Sequence, residues 1–578
     1  MWQHPSLCLM VLIASAKVVV AASSHVKMFA PGDVVVEGEI GRRMVVTLDK
    51  MLCHTDIEGS FARHFKNRKS QPEVPGGFVG YGMFLDALVK AAAHGIGGEK
   101  TVDVKTRILA ELATAQSSDG QITIFKDKPG FWDAHEGAYL IQAYVNDYRW
   151  YGCLASLGTA CRLADSLIAR KVPKTLGSET AFLLLAEATK DEKYRDWLCG
   201  EGMIEADIDV YDRSLTVNGV QHVYTWLARA FAQLSYDPLL CAASDAAFRR
   251  ARRGFMSVTG SITGQPHWGE QWDDSQVGLG KWGETCASAY LMRLSSKRME
   301  SDPRPYYGDL YERVMYNAFF SAQSSDGLKY RYWTPFNESP AWYGRDTYCC
   351  PNNYKREVFE IPDAVFYWGD DCLVVNIYTS AMLRHEVFDV VMKTDYPDEG
   401  EVNIRVKMNA SKLRLRIPAW CSMAEVRVGC DAAVCAPSGW FDIVRDFKTP
   451  VNVRLKMPMP ARIVRGTKAQ EGLGAVLRGP CVYALDPKLN GIPAKTCDMW
   501  EIDADSPLEW DAARNGVLVT AQMPNQKHDI RRLLLTRYSA EGRERTFFQI
   551  SSKTHMVEDE LTQTAHNLRL SERERPSQ

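Results

Sequence analysis

The chain has 578 residues, enough for several domains with substantial cores. Its 69 Lys and Arg stand against 71 Asp and Glu, a balance that gives no basis for a nucleic-acid or other polyanion partner. Fifteen cysteines are too dilute for a disulfide-stapled miniprotein, and an aromatic content of 10% fits either large cores or sugar-stacking surfaces.

The N-terminal stretch MWQHPSLCLMVLIASAKVVVAASS has an apolar run from Leu7 to Ala16 and small residues around Ala22. It predicts a signal peptide over 1–22 and a secreted or periplasmic protein, although no Lys or Arg precedes the run and Lys17 interrupts it. No later stretch reaches the ~20 apolar residues that span a bilayer, so no membrane association is expected after the leader.

Up to about residue 370 the apolar period is helical. In GYGMFLDALVKAAAHG, Phe84, Leu85, Leu88, Val89 and Ala92 mark one face and Gly95 a stop. VKTRILAELATAQ repeats the pattern with Val104, Ile108, Leu109 and Leu112. Further helices are expected in HEGAYLIQAYVNDYRWYG, SETAFLLLAEATK, VQHVYTWLARAFAQL, GETCASAYLMRLSSK and YGDLYERVMYNAFFSAQ, with Ser178 as an N-cap. The phrase AQSSDG ends a helix at 115–120 and again at 322–327, each time before an extended segment. Repeated helix-then-loop units predict a helical toroid with aromatic and charged loops on one rim.

Beyond 370 the period becomes two. CLVVNIYTS, EVNIRVKM, KLRLRIPAW, EVRVGC and VNVRLKM alternate between apolar and polar residues and predict an antiparallel sandwich. The tail after 560 is polar.

Most cysteines, such as Cys153, Cys161 and Cys241, sit in helical apolar patterns as small hydrophobes. Cys286 in WGETCASAY and the vicinal Cys349 and Cys350 in DTYCCPNN do not. Adjacent cysteines form a poor disulfide with each other, so they pair elsewhere, stay free, or bind something. Glu284 and Cys286 can face one ion only if the backbone there is not yet regular helix, because positions i and i+2 point different ways. With Cys349 and Cys350 they make one oxygen and three sulfur donors, a set suited to tetrahedral zinc; ordinary buried or disulfide-bonded cysteines are the alternative. His135 and Glu136 in FWDAHEGAYL are candidates for binding hydroxyls or simply a helix-start pair, and Tyr332 in YRYWTPF is a sugar contact or core.

GETCASAY followed by DTYCCPNN resembles glycoside hydrolase family 127, the retaining β-L-arabinofuranosidases. The likeness continues through TGSITGQPHWGEQW, YERVMYNAFFSAQSSDG, LKYRYWTPF and LRLRIPAW and covers roughly residues 40–460. It implies a multidomain α + β protein: an (α/α)6 barrel catalytic domain over 23–370, an antiparallel β-sandwich over 371–465, and a C-terminal β-rich domain with a polar tail over 466–578. By the same resemblance Cys349 is the nucleophile and Glu270 the general acid/base. Glu284, Cys286, Cys349 and Cys350 hold Zn2+, and His222 contacts sugar. The substrate implied is a terminal sugar on a plant-type oligo- or polysaccharide. Two positions depart from the arabinofuranosidase branch: Tyr139 and Ser178 stand where histidines are expected, and Gln142 replaces an acid. The interval from Glu270 to Glu284 is also short. These departures predict weak activity on simple β-L-arabinofuranosides. A non-catalytic carbohydrate-binding protein on the same scaffold, and a relative acting on another unusual sugar, are the competing readings.

Overall fold

The structure, a computed structural model, describes residues 25–68, 79–126, 131–171, 178–200, 222–238, 240–262, 272–369, 371–523 and 526–561. The predicted leader over 1–22, Glu270 and the polar tail after 561 lie outside these residues.

Among the described residues there are twelve helices of eight residues or more. In chain order they are α1 (Gly38–Val46), α2 (Tyr81–Ala93), α3 (Gly98–Ala113), α4 (Phe131–Tyr151), α5 (Leu154–Ala169), α6 (Ser178–Thr189), α7 (Lys193–Gly200), α8 (Val223–Tyr236), α9 (Ala242–Arg250), α10 (Thr285–Ser301), α11 (Pro305–Val314) and α12 (Cys349–Val358). The even-numbered helices form a closed ring, each packed on the next and α12 returning to α2. Each odd-numbered helix lies outside a ring member, with α1 against α12. This is an (α/α)6 barrel, the toroid expected from the sequence.

Helices of the inner ring are enclosed on both sides, so α2 buries every residue from Tyr81 to Ala92 rather than the single apolar face its spacing predicts. Its polar members are compensated inside: Asp86 pairs with Lys90 at 2.8 Å and with Arg356 of α12 at 2.7 Å. The outer helix α3 keeps the expected one-sided pattern, burying Ile108, Leu109 and Leu112. Ser178 is the first residue of α6 rather than its flanking cap, a difference of one position at a helix end.

Both AQSSDG copies adopt one turn. Ser117 Oγ donates to Asp119 at 2.6 Å and the Gly120 N–H to the Ser117 carbonyl at 2.9 Å; Ser324, Asp326 and Gly327 repeat this at 2.6 and 3.0 Å. Each glycine has φ near +80°, which a Cβ would oppose. The preceding glutamine also recurs in role, Gln116 accepting from Arg162 and Gln323 from Arg43, so each turn is tied to a neighbouring outer helix.

Two N-terminal strands, β1 (Lys27–Met28) and β2 (Val34–Val36), join sheets whose other members follow the barrel. These are β3 (Phe366–Gly369), β4 (Cys372–Val375), β5 (Ala381–Arg384), β6 (Phe388–Thr394), β7 (Glu401–Met408), β8 (Lys412–Ile417), β9 (Met423–Val428), β10 (Val434–Pro437), β11 (Gly439–Val444) and β12 (Val451–Lys456). One sheet has the order β1-β3-β4-β8-β11 and the other β10-β9-β12-β7-β6-β5-β2. Strict alternation of buried and outward residues in β7 and β12 matches their sequence period. A third, nine-stranded sheet spans residues 461–557. Arg416 of β8, fully buried, clasps Asp309 and Glu312 of α11 and joins sandwich to barrel.

His94 closes α2 beside Lys90, Asp363 and Glu360. Burial, reinforced by Lys90, pushes its imidazole down to about 4. Between about pH 6.5 and 4 the unfolded chain therefore holds a proton that the folded chain lacks, and stability falls as pH falls through that window. Wild type should lose about 2 kcal/mol relative to His94→Gln between pH 6.5 and 5, read by urea unfolding at each pH. A difference that does not change with pH would show that His94 takes up its proton in the fold as readily as in the unfolded chain.

Candidate active site

Two helix starts build the site. Glu284 precedes α10 with extended backbone (φ −60°, ψ 130°), and it bridges to Trp333, while Cys286 is already inside the helix. That change of backbone lets i and i+2 converge, as the sequence required. At α12, Tyr348 takes φ +81°, an uncommon value for a residue with a side chain. It is held there by its N–H to the Val79 carbonyl at 2.5 Å and by Asn352 Nδ2 on its own carbonyl at 2.8 Å. Cys349 and Cys350 therefore open α12, where the helix N-terminus favours a thiolate.

Glu284, Cys286, Cys349 and Cys350 each offer a donor atom within 4.8 Å of the others, and all four residues are buried. Cys350 Sγ donates to Glu284 Oε1 at 3.2 Å, and Asn353 Nδ2 donates to Cys286 Sγ at 3.1 Å. Glu284, Cys286 and Cys350 are completely enclosed, whereas Cys349 retains 7% exposure. A hydrogen bond from Cys286 pulls the Cys349 thiol well below the ordinary range, and burial pushes the other two thiols up. All fourteen described cysteines are free of disulfides. Three thiols and a carboxylate gathered in one enclosed space carry latent negative charge that a divalent cation would partly offset, and the donor set fits zinc.

The Tyr332 hydroxyl lies 3.7 Å from Cys349 Sγ. His135, 1% exposed, is pushed down to about 4 by burial, against the pull of Cys349 and with help from His222. His222 precedes α8 and meets Tyr224 edge-on at 5.8 Å. Cys349, Tyr332, His135 and His222 thus lie close to one another. Both carboxylate oxygens of Glu136 accept backbone N–H groups, from Gly80 at 2.9 Å and from Gly82. It anchors the start of α2 next to Tyr348; Gly80 has φ +102°, and a Cβ there would meet the Tyr348 carbonyl oxygen at 2.5 Å. Tyr139 is fully buried with its hydroxyl 2.7 Å from that of Tyr290. Gln142 accepts from Arg356 at 2.9 Å. A cavity of about 880 Å³ lined by Lys90, His94, Tyr290, Arg356 and Glu360 lies at the other end of α12 and includes none of the four donors.

Asn353, Tyr224 and Tyr290 were not singled out by sequence reasoning. Asn353 alone had a signal, sitting one turn after Cys349 in the CCPNN motif.

Residues 51–363 match the family model for the beta-L-arabinofuranosidase GH127 catalytic domain, and residues 372–459 match that for the GH127 middle domain. The chain belongs to glycoside hydrolase family 127. A non-reducing end beta-L-arabinofuranosidase of Bifidobacterium longum subsp. longum is 25% identical over 308 residues, covering 46% of this chain and 46% of that protein. The match thus spans about half the length of that curated relative. Among solved structures, a GH127 beta-arabinofuranosidase superposes with a TM-score of 0.79 at 19% identity, over 93% of this chain and 99% of that one. A GH127 beta-L-arabinofuranosidase from Geobacillus stearothermophilus T6 gives 0.74 at 20% identity, over 90% and 100%. The GH127 catalytic match contains all four clustered donors and every site residue described above, while the GH127 fold likeness extends through the third sheet.

Proposed function

We propose that this GH127 chain is an exported, zinc-dependent retaining glycoside hydrolase that removes terminal sugars from plant-type glycans. Cys349 is the nucleophile, Glu270 the general acid/base, and Glu284, Cys286, Cys349 and Cys350 the metal ligands. The observation that supports this most is the convergence of four donors in one buried cluster, of which only Cys349 retains any exposure.

Bound zinc would supply the positive charge that favours the Cys349 thiolate at neutral pH. The thiolate sulfur attacks the anomeric carbon, forming a C–S bond as the glycosidic C–O bond breaks. Glu270 gives its proton to the departing oxygen. Water then attacks the same carbon, losing a proton to Glu270, while the C–S bond breaks and its electron pair returns to sulfur. Two displacements at one carbon give net retention. Tyr332, within reach of the sulfur, donates to it and steadies its orientation.

Tyr139 favours a sugar other than simple β-L-arabinofuranose. A histidine there would present a hydrogen-bonding edge, whereas Tyr139 spends its hydroxyl on Tyr290. A sugar hydroxyl left without its partner is strongly disfavoured. The test is a panel of aryl furanosides and pyranosides followed by NMR. Retained configuration in the first product is expected, with p-nitrophenyl β-L-arabinofuranoside among the poorer substrates. An inverted first product would remove the covalent route, and turnover of none would favour a binding protein.

A further inference from the structure

Residues 538–543 lie beyond both matched family segments, yet they contact the segment that carries Tyr332. We infer that Tyr538 and Arg543, contributed by the C-terminal sheet region, are positioning residues that hold segment 331–336 in register with the start of α10 and so set Tyr332 against Cys349.

The contacts form an unbroken path. The Tyr538 hydroxyl donates to the Thr334 carbonyl at 2.5 Å, with the Pro335 carbonyl 3.1 Å away. Arg543 forks between the Pro335 carbonyl (Nη1, 2.6 Å) and Ser321 Oγ (Nη2, 2.8 Å), and its guanidinium lies 3.7 Å from the Tyr538 ring centroid. Both side chains are buried. Held this way, Thr334 gives its N–H to the Trp282 and Gly283 carbonyls at 2.9 and 3.0 Å. Thr285 in turn donates its N–H to the Tyr332 carbonyl at 3.0 Å and its Oγ1 to the Arg331 carbonyl at 2.9 Å. Trp333 bridges to Glu284. One residue of the segment thus carries the hydroxyl beside Cys349, and the next is paired to a metal-ligand candidate.

Apolar packing alone would not fix this register. Phe336 sits between Trp282 and Phe547, at 5.6 and 5.7 Å, in a separate buried cluster shared by the barrel and the C-terminal sheet. Such contacts tolerate sliding, whereas directional hydrogen bonds to two successive carbonyls do not. Tyr538→Phe keeps the ring in that cluster and removes only the hydroxyl.

The effect on turnover rests on the role proposed for Cys349, so the test reads the sulfur itself. Full-length protein, freed of metal with a chelator, is labelled with iodoacetamide, and Cys349 alkylation is followed by peptide mass spectrometry. Exposed Cys53, Cys199 and Cys430 serve as internal references. Tyr332→Phe and Tyr538→Phe should each change the Cys349 rate by ~3-fold or more in the same direction, the scale of one lost hydrogen bond. The double variant should change it no further, because Tyr538 acts through Tyr332. The reference thiols should keep their wild-type rates. A wild-type Cys349 rate in Tyr538→Phe, or a double variant equal to the product of the singles, overturns the inference. Arg543→Lys, which keeps the charge and loses the fork, must follow the same pattern and takes over as the test if Tyr538→Phe fails to fold. Failure to turn over every glycoside would count against the proposed reaction and leave the labelling outcome to decide this inference.

Discussion

Cys349→Ala should lower turnover by ~10,000-fold or more on any aryl glycoside the wild type accepts, while the barrel stays folded. The size of the effect follows from position. Glu284, Cys286 and Cys350 are enclosed and suited to holding a cation, but only Cys349 has an open face beside Tyr332, His135 and His222. An alanine at that point has nothing to attack with. The fold should tolerate the change because Glu284, Cys286 and Cys350 still converge between α10 and α12 without the Cys349 sulfur, and the inner helices have further contacts of their own. Those helices are held by their own side chains, including the Asp86–Arg356 pair between α2 and α12. A melting temperature within about 3 °C of wild type, together with lost turnover, would assign the loss to chemistry. Retained turnover would transfer the nucleophile to another group and sink the proposed reaction.

The parts of this molecule that were legible in the sequence are those where burial changes sides along the chain. β7 and β12 alternate in residues and in burial because one face meets the core and the other solvent. The outer helix α3 was legible for the same reason. α12 was not: Cys349–Val358 is buried throughout yet reads CCPNNYKREV, with no apolar stripe for a periodic search to find. Its polar groups are satisfied by residues distant in the chain, Arg356 by Asp86 and Gln142, and Tyr354 by Gln323. A closed ring has no solvent face, so its polar inner helix leaves no periodic trace.

The site shows the same division. The ETC and CCPNN motifs were readable because their residue types are rare together, and the requirement for non-helical backbone at Glu284 could be deduced from spacing alone. Glu136 resisted because its partners are main-chain N–H groups presented by Gly80 and Gly82, and no side-chain pattern announces a backbone ligand. Tyr538 and Arg543 resisted because they act across two domains through carbonyls of 334 and 335, which any sequence would offer.

Stripping the metal should reduce turnover by ~100-fold or more and lower stability by about 4 kcal/mol relative to protein saturated at 1,000 times the dissociation constant, both reversed by about one equivalent of zinc. The stability change arises because the four donors come from two helix starts, so a shared cation ties α10 to α12 in the folded state alone. The loss of turnover has a second origin. Three thiolates and a carboxylate cannot remain ionised together in an enclosed space without a cation, and protons return to the cluster. One of those protons bears on the nucleophile, since a hydrogen bond from Cys286 holds the Cys349 thiol low, while Cys350 donates to Glu284 Oε1 at 3.2 Å. A sulfur that accepts an S–H has an electron pair occupied and is a weaker nucleophile than one facing a sugar carbon. Asn353 already occupies Cys286, so that thiol has little freedom to swing away. Turnover and melting temperature are measured after dialysis against a strong chelator and again after zinc is restored, with metal content by elemental analysis. Full turnover in metal-free protein would separate the cysteine chemistry from the metal. A stability change without a change in turnover would leave the cluster as a structural clasp between α10 and α12.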